Sequence, residues 1–300
     1  MPNPVIQHSL RGRFAPSPTG PLHLGSLLSA LASWLDIRQR GGSWLVRIDD
    51  IDPPREVPGA AERILRQLEA HGLYWDEAVQ YQSRRHEAYR EAINTLLDSG
   101  HAFYCELSRR QLNAQYHGCH PGSALAVSAG PDRAIRLAVP DDEIRFDDRL
   151  QGPCHCNLHS ADGAFVIRRR DGLFAYQLAC ALDDADMGIS EVLRGVDLLD
   201  SSFRQIHVLD CLGRSRPGYG HLPVVVDEQG QKLSKSAGSA ALDDQQPAAN
   251  LCLALRLLEV LLPADMAGAS VDEILQQAVK AWQPDRLTLR QQVFLQPQGG

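Results

Sequence analysis

The chain has 300 residues, enough for one large domain or two modest ones, and its 44% hydrophobic and 22% charged content is that of a globular protein. A formal net charge of -7 excludes a polycation that binds nucleic acid unselectively, so an RNA partner must meet local basic patches. Arg84-Arg85, Arg109-Arg110 and Arg168-Arg169-Arg170 are the candidates, each of which also fits a solvated surface face.

Arg11 to Ala15 reads as a short strand ended by Pro16 and Pro18, and Leu24, Leu27, Leu28, Leu31 and Leu35 then repeat with helical period. Trp44 to Ile48 is a second strand, followed by the acidic run Asp49-Asp50-Ile51-Asp52. Pro58-Gly59 opens a helix with Ile64, Leu65 and Leu68 on one face, and Tyr89, Ile93, Leu96 and Leu97 mark another. Between about 105 and 160 the alternation breaks in a segment rich in Cys, His, Gly and Pro, as an insertion would. It resumes with a strand at Phe165 to Ile167, a helix near Tyr176 to Ala181 and a strand at Glu191 to Leu193. A helix from Ser201 to Leu212, one strand from Leu222 to Val226, and helices over 248–262 and 270–282 complete the pattern. Strands alternating with helices imply an α/β protein with a parallel sheet. No stretch reaches the roughly 18 apolar residues of a membrane span. No basic-then-apolar leader opens the chain, and seven cysteines, an odd number, argue against a disulfide framework; a cytoplasmic protein with no membrane partner is expected.

Two elements far apart point to a nucleotide triphosphate. Pro16-Ser17-Pro18-Thr19-Gly20-Pro21-Leu22-His23-Leu24-Gly25-Ser26 turns from a strand into a helix, where unpaired N–H groups and the helix dipole favour anions. Gly25 lets an adenine ring approach the backbone, and His23 can donate to a phosphate. Lys232-Leu233-Ser234-Lys235-Ser236 then follows a valine-rich strand, two ammonium groups suited to charge growing on a leaving pyrophosphate. Singly, these are also an ordinary helix start and a polar surface loop. Neither is a Walker A loop.

The residues R-F-A-P-S-P-T-G-P-L-H-L-G from Arg13, R-I-D-D-I-D-P-P-R from Arg47, R-G-V-D-L from Arg194 and K-L-S-K-S from Lys232 occur in the order found in class I aminoacyl-tRNA synthetases of the glutamyl group. The chain resembles that family over about 11 to 240. Full-length members continue into a large helical anticodon-binding part, for which residues 237–300 leave no room, so the resemblance narrows to the truncated glutamyl-queuosine tRNA(Asp) synthetase family. It implies a Rossmann-like catalytic domain with its first half at 1–104, an inserted Cys/His-rich subdomain at 105–160, a second half with the lysine loop at 161–245, and a helical appendage at 246–300. It implies activation of L-glutamate by ATP with Mg²⁺ and transfer of the glutamyl group to queuosine at the wobble position of tRNA(Asp), by a monomer. Two other readings remain: a compact glutamyl-tRNA synthetase charging the 3′ end, and a catalytically silent RNA-binding module.

By the same resemblance, Arg13, Phe14, Ala15, Pro16 and Ser17 line the glutamate site, with Asp49, Tyr176 and Arg194. Asp49 stands where the family usually has Glu. His23, Lys232 and Lys235 carry catalysis, and His23, Gly25, Lys232, Ser234 and Lys235 hold ATP. Family members often carry a structural zinc on Cys-x-Cys, Tyr and Cys; here Cys105, Tyr116, Cys119 and His120 occupy that stretch, with Leu107 at the second ligand position. Zn²⁺ is either absent or completed from the cluster Cys154, His155, Cys156 and His159. Cys180, Cys211 and Cys252 fall in apolar helical contexts and are expected to be buried.

Overall fold

The computed structural model describes residues 10–226, 242–266 and 268–295. Arg11–Phe14 is a strand (β1), and a proline-rich loop leads from it into a helix at Leu24–Gln39 (α1). The predicted stripe is the buried face: Leu27, Leu28, Leu31 and Leu35 are at most 1% exposed, because residues three and four apart share one side of a helix. The exit from α1 needs two glycines. Gly41 takes φ +69°, and a side chain on Gly42 would meet the Leu10 carbonyl oxygen at 2.5 Å. The chain thus returns directly into Ser43–Ile48 (β2), parallel to β1 with Phe14 opposite Val46.

Ala60–Ala70 (α2), Gln80–Tyr81 (β3), His86–Asp98 (α3) and Ala102–Cys105 (β4) follow. Arg109–Tyr116 (α4) precedes Ala134–Leu137 (β5), then a hairpin of Glu143–Asp148 (β6) and Gly152–Asn157 (β7). After Leu158–Ala161 (α5) comes Phe165–Arg168 (β8). β4, β5 and β8 form a separate antiparallel sheet, whereas the hairpin extends the main sheet through β6. Tyr176–Asp186 (α6), Glu191–Gly195 (β9), Leu199–Cys211 (α7), Gly218–Leu222 (β10) and Val224–Val226 (β11) complete the sheet side of the chain. Pro247–Leu257 (α8), Val271–Ala281 (α9) and Gln292–Phe294 (β12) end it.

Among the described residues the main sheet has seven strands in the order β3-β2-β1-β9-β10-β6-β7, parallel except for the hairpin pair β6–β7. The chain builds outward from β1 on one side and returns at β9 on the other. The β1–β9 boundary is therefore a topological switch point, the place where open α/β sheets leave a crevice at their carboxyl edge. One core cluster joins α1, β1 and β2 to α8, α9 and Trp282; a second joins α3, β4 and β5 to α6 and α7. No helix among the described residues is long and apolar enough to cross a membrane.

Two predicted elements differ. The single strand expected from Leu222 to Val226 is two strands broken at Pro223, which has no N–H to give a ladder, and β11 pairs in parallel with β12 rather than with the main sheet. The helix expected over 248–262 stops at Leu257, since Glu259 adopts φ +55° and the Val260 N–H closes on the Leu255 carbonyl. Of the three cysteines expected to be buried, Cys180 is, Cys211 is half-buried and Cys252 is exposed on α8.

Candidate active site

A cavity of about 330 Å³ opens at the switch point. The loop after β1 supplies Arg13, Phe14, Ala15, Pro16 and Ser17 to its wall, the start of α1 supplies His23 and Gly25, and α6 and β9 supply Tyr176 and Arg194. The loop is fixed from below: the Asp49 N–H donates to the Pro16 carbonyl at 3.0 Å, and the Val57 N–H to that of Pro18 at 2.9 Å. Gln67 of α2, which the sequence pattern did not single out, accepts from the Leu22 N–H at 2.8 Å and donates to Asp244 at 2.6 Å.

His23 is the N-cap of α1, and its Nδ1 accepts from the Ser26 N–H at 3.4 Å. A neutral imidazole whose Nδ1 accepts carries its proton on Nε2. The first turn of α1 holds no acidic side chain, so the helix end itself favours an anion; among the described residues, Asp197 is the acidic residue on the cavity wall.

Arg13 is 4% exposed. Its fork faces Asp184 of α6, Nε to Oδ1 at 3.1 Å and Nη2 to Oδ2 at 3.0 Å, rather than standing open for a ligand carboxylate. Nη1 has no partner among the described residues, so that edge alone is left for a guest. Asp184 also accepts from Arg47 Nη1 at 2.6 Å, and the two guanidinium groups hold its carboxyl well below the usual carboxylate range against the cost of burial.

Asp49 does not line the cavity. It is 6% exposed and paired with Arg47 Nε at 2.6 Å and Nη2 at 3.3 Å, close enough to Tyr176 for their charges to interact. Burial, reinforced by Asp183 and Asp184, pushes its carboxyl up to about 6 although Arg47 opposes the shift.

Arg194 is 5% exposed and held from several directions. Nη2 donates to Ser202 Oγ at 2.9 Å and Gln205 Oε1 at 2.8 Å, Nε to His221 Nε2 at 3.3 Å, and Nη1 to the Tyr176 hydroxyl at 3.4 Å. His221 in turn donates from Nδ1 to Asp148 at 2.5 Å, and its Nε2 accepts from the Ser202 hydroxyl at 3.0 Å. Burial first, then the Arg194 charge, hold this imidazole below its ordinary value, so it is neutral and able to accept. An arginine on β9 is thus oriented by a carboxylate on β6, through a histidine on β10. No motif announced this relay; the one signal available was a histidine in the otherwise apolar strand β10, where a polar side chain has to find a partner.

Lys232, Ser234 and Lys235 lie outside the described residues. On the N-terminal side of that segment Val224 and Val225 line the cavity, and on its C-terminal side the Leu242 N–H donates to the carbonyl of Leu22, another lining residue, at 3.4 Å.

The expected zinc donors do not converge. Cys105 Sγ and His120 Nε2 are 3.2 Å apart and fully buried, but Cys119 Sγ donates to the His159 carbonyl at 3.1 Å. Leu107 offers only its N–H, to Cys105 Sγ at 3.4 Å. On β7, Cys154 and Cys156 pack toward the second core while the alternate His155 pairs with Glu143 at 2.9 Å, so this cluster cannot complete a tetrahedron either. Among the described residues no group of three or more His, Cys, Asp or Glu side chains is arranged to hold a metal. Burial and the Arg136 charge push His120 down to about 4. The residues present do not fit a structural zinc.

The model of the catalytic domain of class I tRNA synthetases (E and Q) matches residues 9–123 and 123–283. The chain belongs to this family. It is a ligase-type enzyme with the α/β fold of class I synthetases. A relative from Pseudomonas aeruginosa (strain PAO1), named Glutamyl-Q tRNA(Asp) synthetase, is 50% identical over 92% of this chain and 94% of its own. One from Methylococcus capsulatus (strain Bath), with the same name, is 51% identical over 92% of each. Among solved structures, a glutamate tRNA ligase from Elizabethkingia meningosepticum, crystallised with its amino acid, superposes with a TM-score of 0.79 at 25% identity, covering 95% of this chain and 67% of that one.

Proposed function

We propose that this synthetase activates L-glutamate with MgATP and transfers the glutamyl group to queuosine at the wobble position of tRNA(Asp). The activation step rests on one observation: Arg13, His23, Tyr176 and Arg194 face a single cavity at the carboxyl edge of the sheet. The choice of acceptor rests on the relatives matched nearly end to end and named for it.

In this reading the glutamate carboxylate attacks the α-phosphorus of ATP, the bond to pyrophosphate breaks, and an acceptor hydroxyl then displaces AMP from the mixed anhydride. Arg194, oriented by Asp148 and His221, and the remaining edge of Arg13 hold glutamate, with Phe14 to Ser17 and Tyr176 shaping its seat. His23 Nε2–H and the first turn of α1 with Gly25 receive the nucleotide. Lys232, Ser234 and Lys235 act on the departing pyrophosphate, and Mg²⁺ enters with ATP. Asp49 contributes its charge from behind Tyr176 instead of touching the substrate ammonium. Catalysis is by positioning and electrostatics, without a protein nucleophile.

Purified protein incubated with labelled pyrophosphate, ATP and glutamate is expected to exchange label without any RNA. Labelled glutamate is then expected on queuosine-containing tRNA(Asp) and absent from the unmodified transcript. Label on unmodified tRNA(Glu) establishes the compact glutamyl-tRNA synthetase instead, and absence of exchange establishes the silent module.

A further inference from the structure

Two of the three arginine clusters noticed in the sequence meet in space. A second hollow, of about 580 Å³, lies between the small antiparallel sheet, the start of α4 and the side of α7, outside the catalytic cavity. Arg109, Arg136, Arg169, Arg170 and Arg204 face it, against two carboxylates, Asp162 and Asp171. In a chain of net charge -7 this is a concentrated reversal of sign. The third cluster is not comparable, since Arg85 is consumed by Asp183 and Asp186 and Arg84 lies over the Tyr81 ring.

The hollow is short of acceptors. Arg204 pairs with Asp162, Arg169 with Asp171 at 2.6 Å, and Arg170 Nε reaches only the Asp132 carbonyl at 2.8 Å. Arg109 has no acidic partner among the described residues. Arg136 is 7% exposed; its Nη1 donates to the Ala164 carbonyl at 2.7 Å, and its buried Nε has no acceptor among the described residues. A buried N–H without a partner is costly, and an oxyanion entering from the hollow would relieve it. Guanidinium forks converging on one space match the paired oxygens of a phosphate.

We propose that this hollow seats backbone phosphates of the RNA substrate and so holds it beside the catalytic cavity; the inference rests on the tRNA reading above. The connection between the two places is short. Arg169 Nη1 lies 3.8 Å from Asp52, three residues beyond Asp49, and α7 carries Arg204 to the hollow and Ser202 and Gln205 to the catalytic Arg194.

The test uses full-length protein and an unmodified tRNA(Asp) transcript, since a phosphate contact needs no modified base. Fluorescence anisotropy across a salt series is run on Arg109→Ala, Arg170→Ala and their combination, with Arg145→Ala, an exposed arginine elsewhere, as control. Each single change is expected to weaken binding about three- to tenfold and to lower the slope of log affinity against log salt by about one. The control is expected to leave both unchanged. Unaltered affinity and slope in the double variant overturn the proposal, and so does an equal loss in the control. If inorganic phosphate or AMP occupies the hollow, with protection lost in the double variant while RNA affinity stays constant, the site is one for a free anion and the RNA seat is overturned. Glutamate-dependent pyrophosphate exchange, measured on the same samples, separates the two levels: its absence in the unsubstituted protein removes the functional reading, whereas normal exchange with unchanged RNA binding removes only the seat.

Discussion

Arg13 and Arg194, on the wall of the catalytic cavity, are 4% and 5% exposed and fixed by carboxylate, amide, hydroxyl and imidazole partners. Arg109 and Arg170, at the second hollow, are exposed and have no carboxylate ion pair among the described residues. The same side chain is used in two ways. A small carboxylate needs donors held within fractions of an ångström, so the cavity spends buried acidic groups on holding its arginines still. A polyanion supplies its own charge in a long repeat, so arginines that meet it can stay solvated and adjustable.

The largest effect that contrast predicts is on stability. Asp184→Ala leaves Arg13 and Arg47 buried with a shared counter-charge removed and should cost about 3–5 kcal/mol, read by urea unfolding. A loss under about 1 kcal/mol would mean the arginines are not held as described. A smaller effect follows from orientation. Asp148→Asn removes the acceptor that sets the His221 tautomer, and should lower kcat/KM for glutamate in pyrophosphate exchange by roughly 10- to 100-fold through misplacement of Arg194. Unchanged exchange kinetics would detach the relay from the site.

The pH dependence sharpens the contrast further. Asp184, Asp36 and Asp148 are all held below the ordinary carboxylate value, by Arg13 and Arg47, by Arg149, and by His221 respectively. Their stabilisation is complete above the unfolded value near pH 4 and is lost as pH falls toward their folded values, which acid titration of the unfolding midpoint measures. Asp49 has the opposite sign. With its carboxyl at about 6, it is neutral below that pH and charged above, so exchange should rise as pH increases through about 6. Asp49→Asn should flatten that rise; an unchanged profile would assign the titration to another group. The smallest effect belongs to the hollow: Arg109→Ala and Arg170→Ala should shift folding stability by no more than about 0.5 kcal/mol, because their side chains contribute little to the fold.

Local features were legible in the sequence and distant partners were not. The α1 stripe, the strand-to-helix corner at His23 and the α/β alternation follow from periodicity and turn chemistry within a few residues. That Arg13 faces Asp184, 171 positions away, and that Arg194 depends on Asp148 two strands over in the sheet, follows from no spacing rule. The break at Pro223 was visible as a residue, but its effect depended on β12 waiting to receive β11. The arginine patches were visible as composition, and only the folding of β8 against α4 and α7 made two of them one surface. The lysine pair lies outside the described residues, so its contribution remains a matter for exchange kinetics on Lys235→Ala.

The pairing of β12 with β11 has a practical corollary. Gln292 to Phe294 runs hydrogen-bonded along Val224 to Val226, and two of those valines line the catalytic cavity. Replacing Val293 with proline, which would remove a ladder N–H and side-chain packing from β12, is therefore expected to loosen the valine wall of the reaction chamber without touching any residue that lines it.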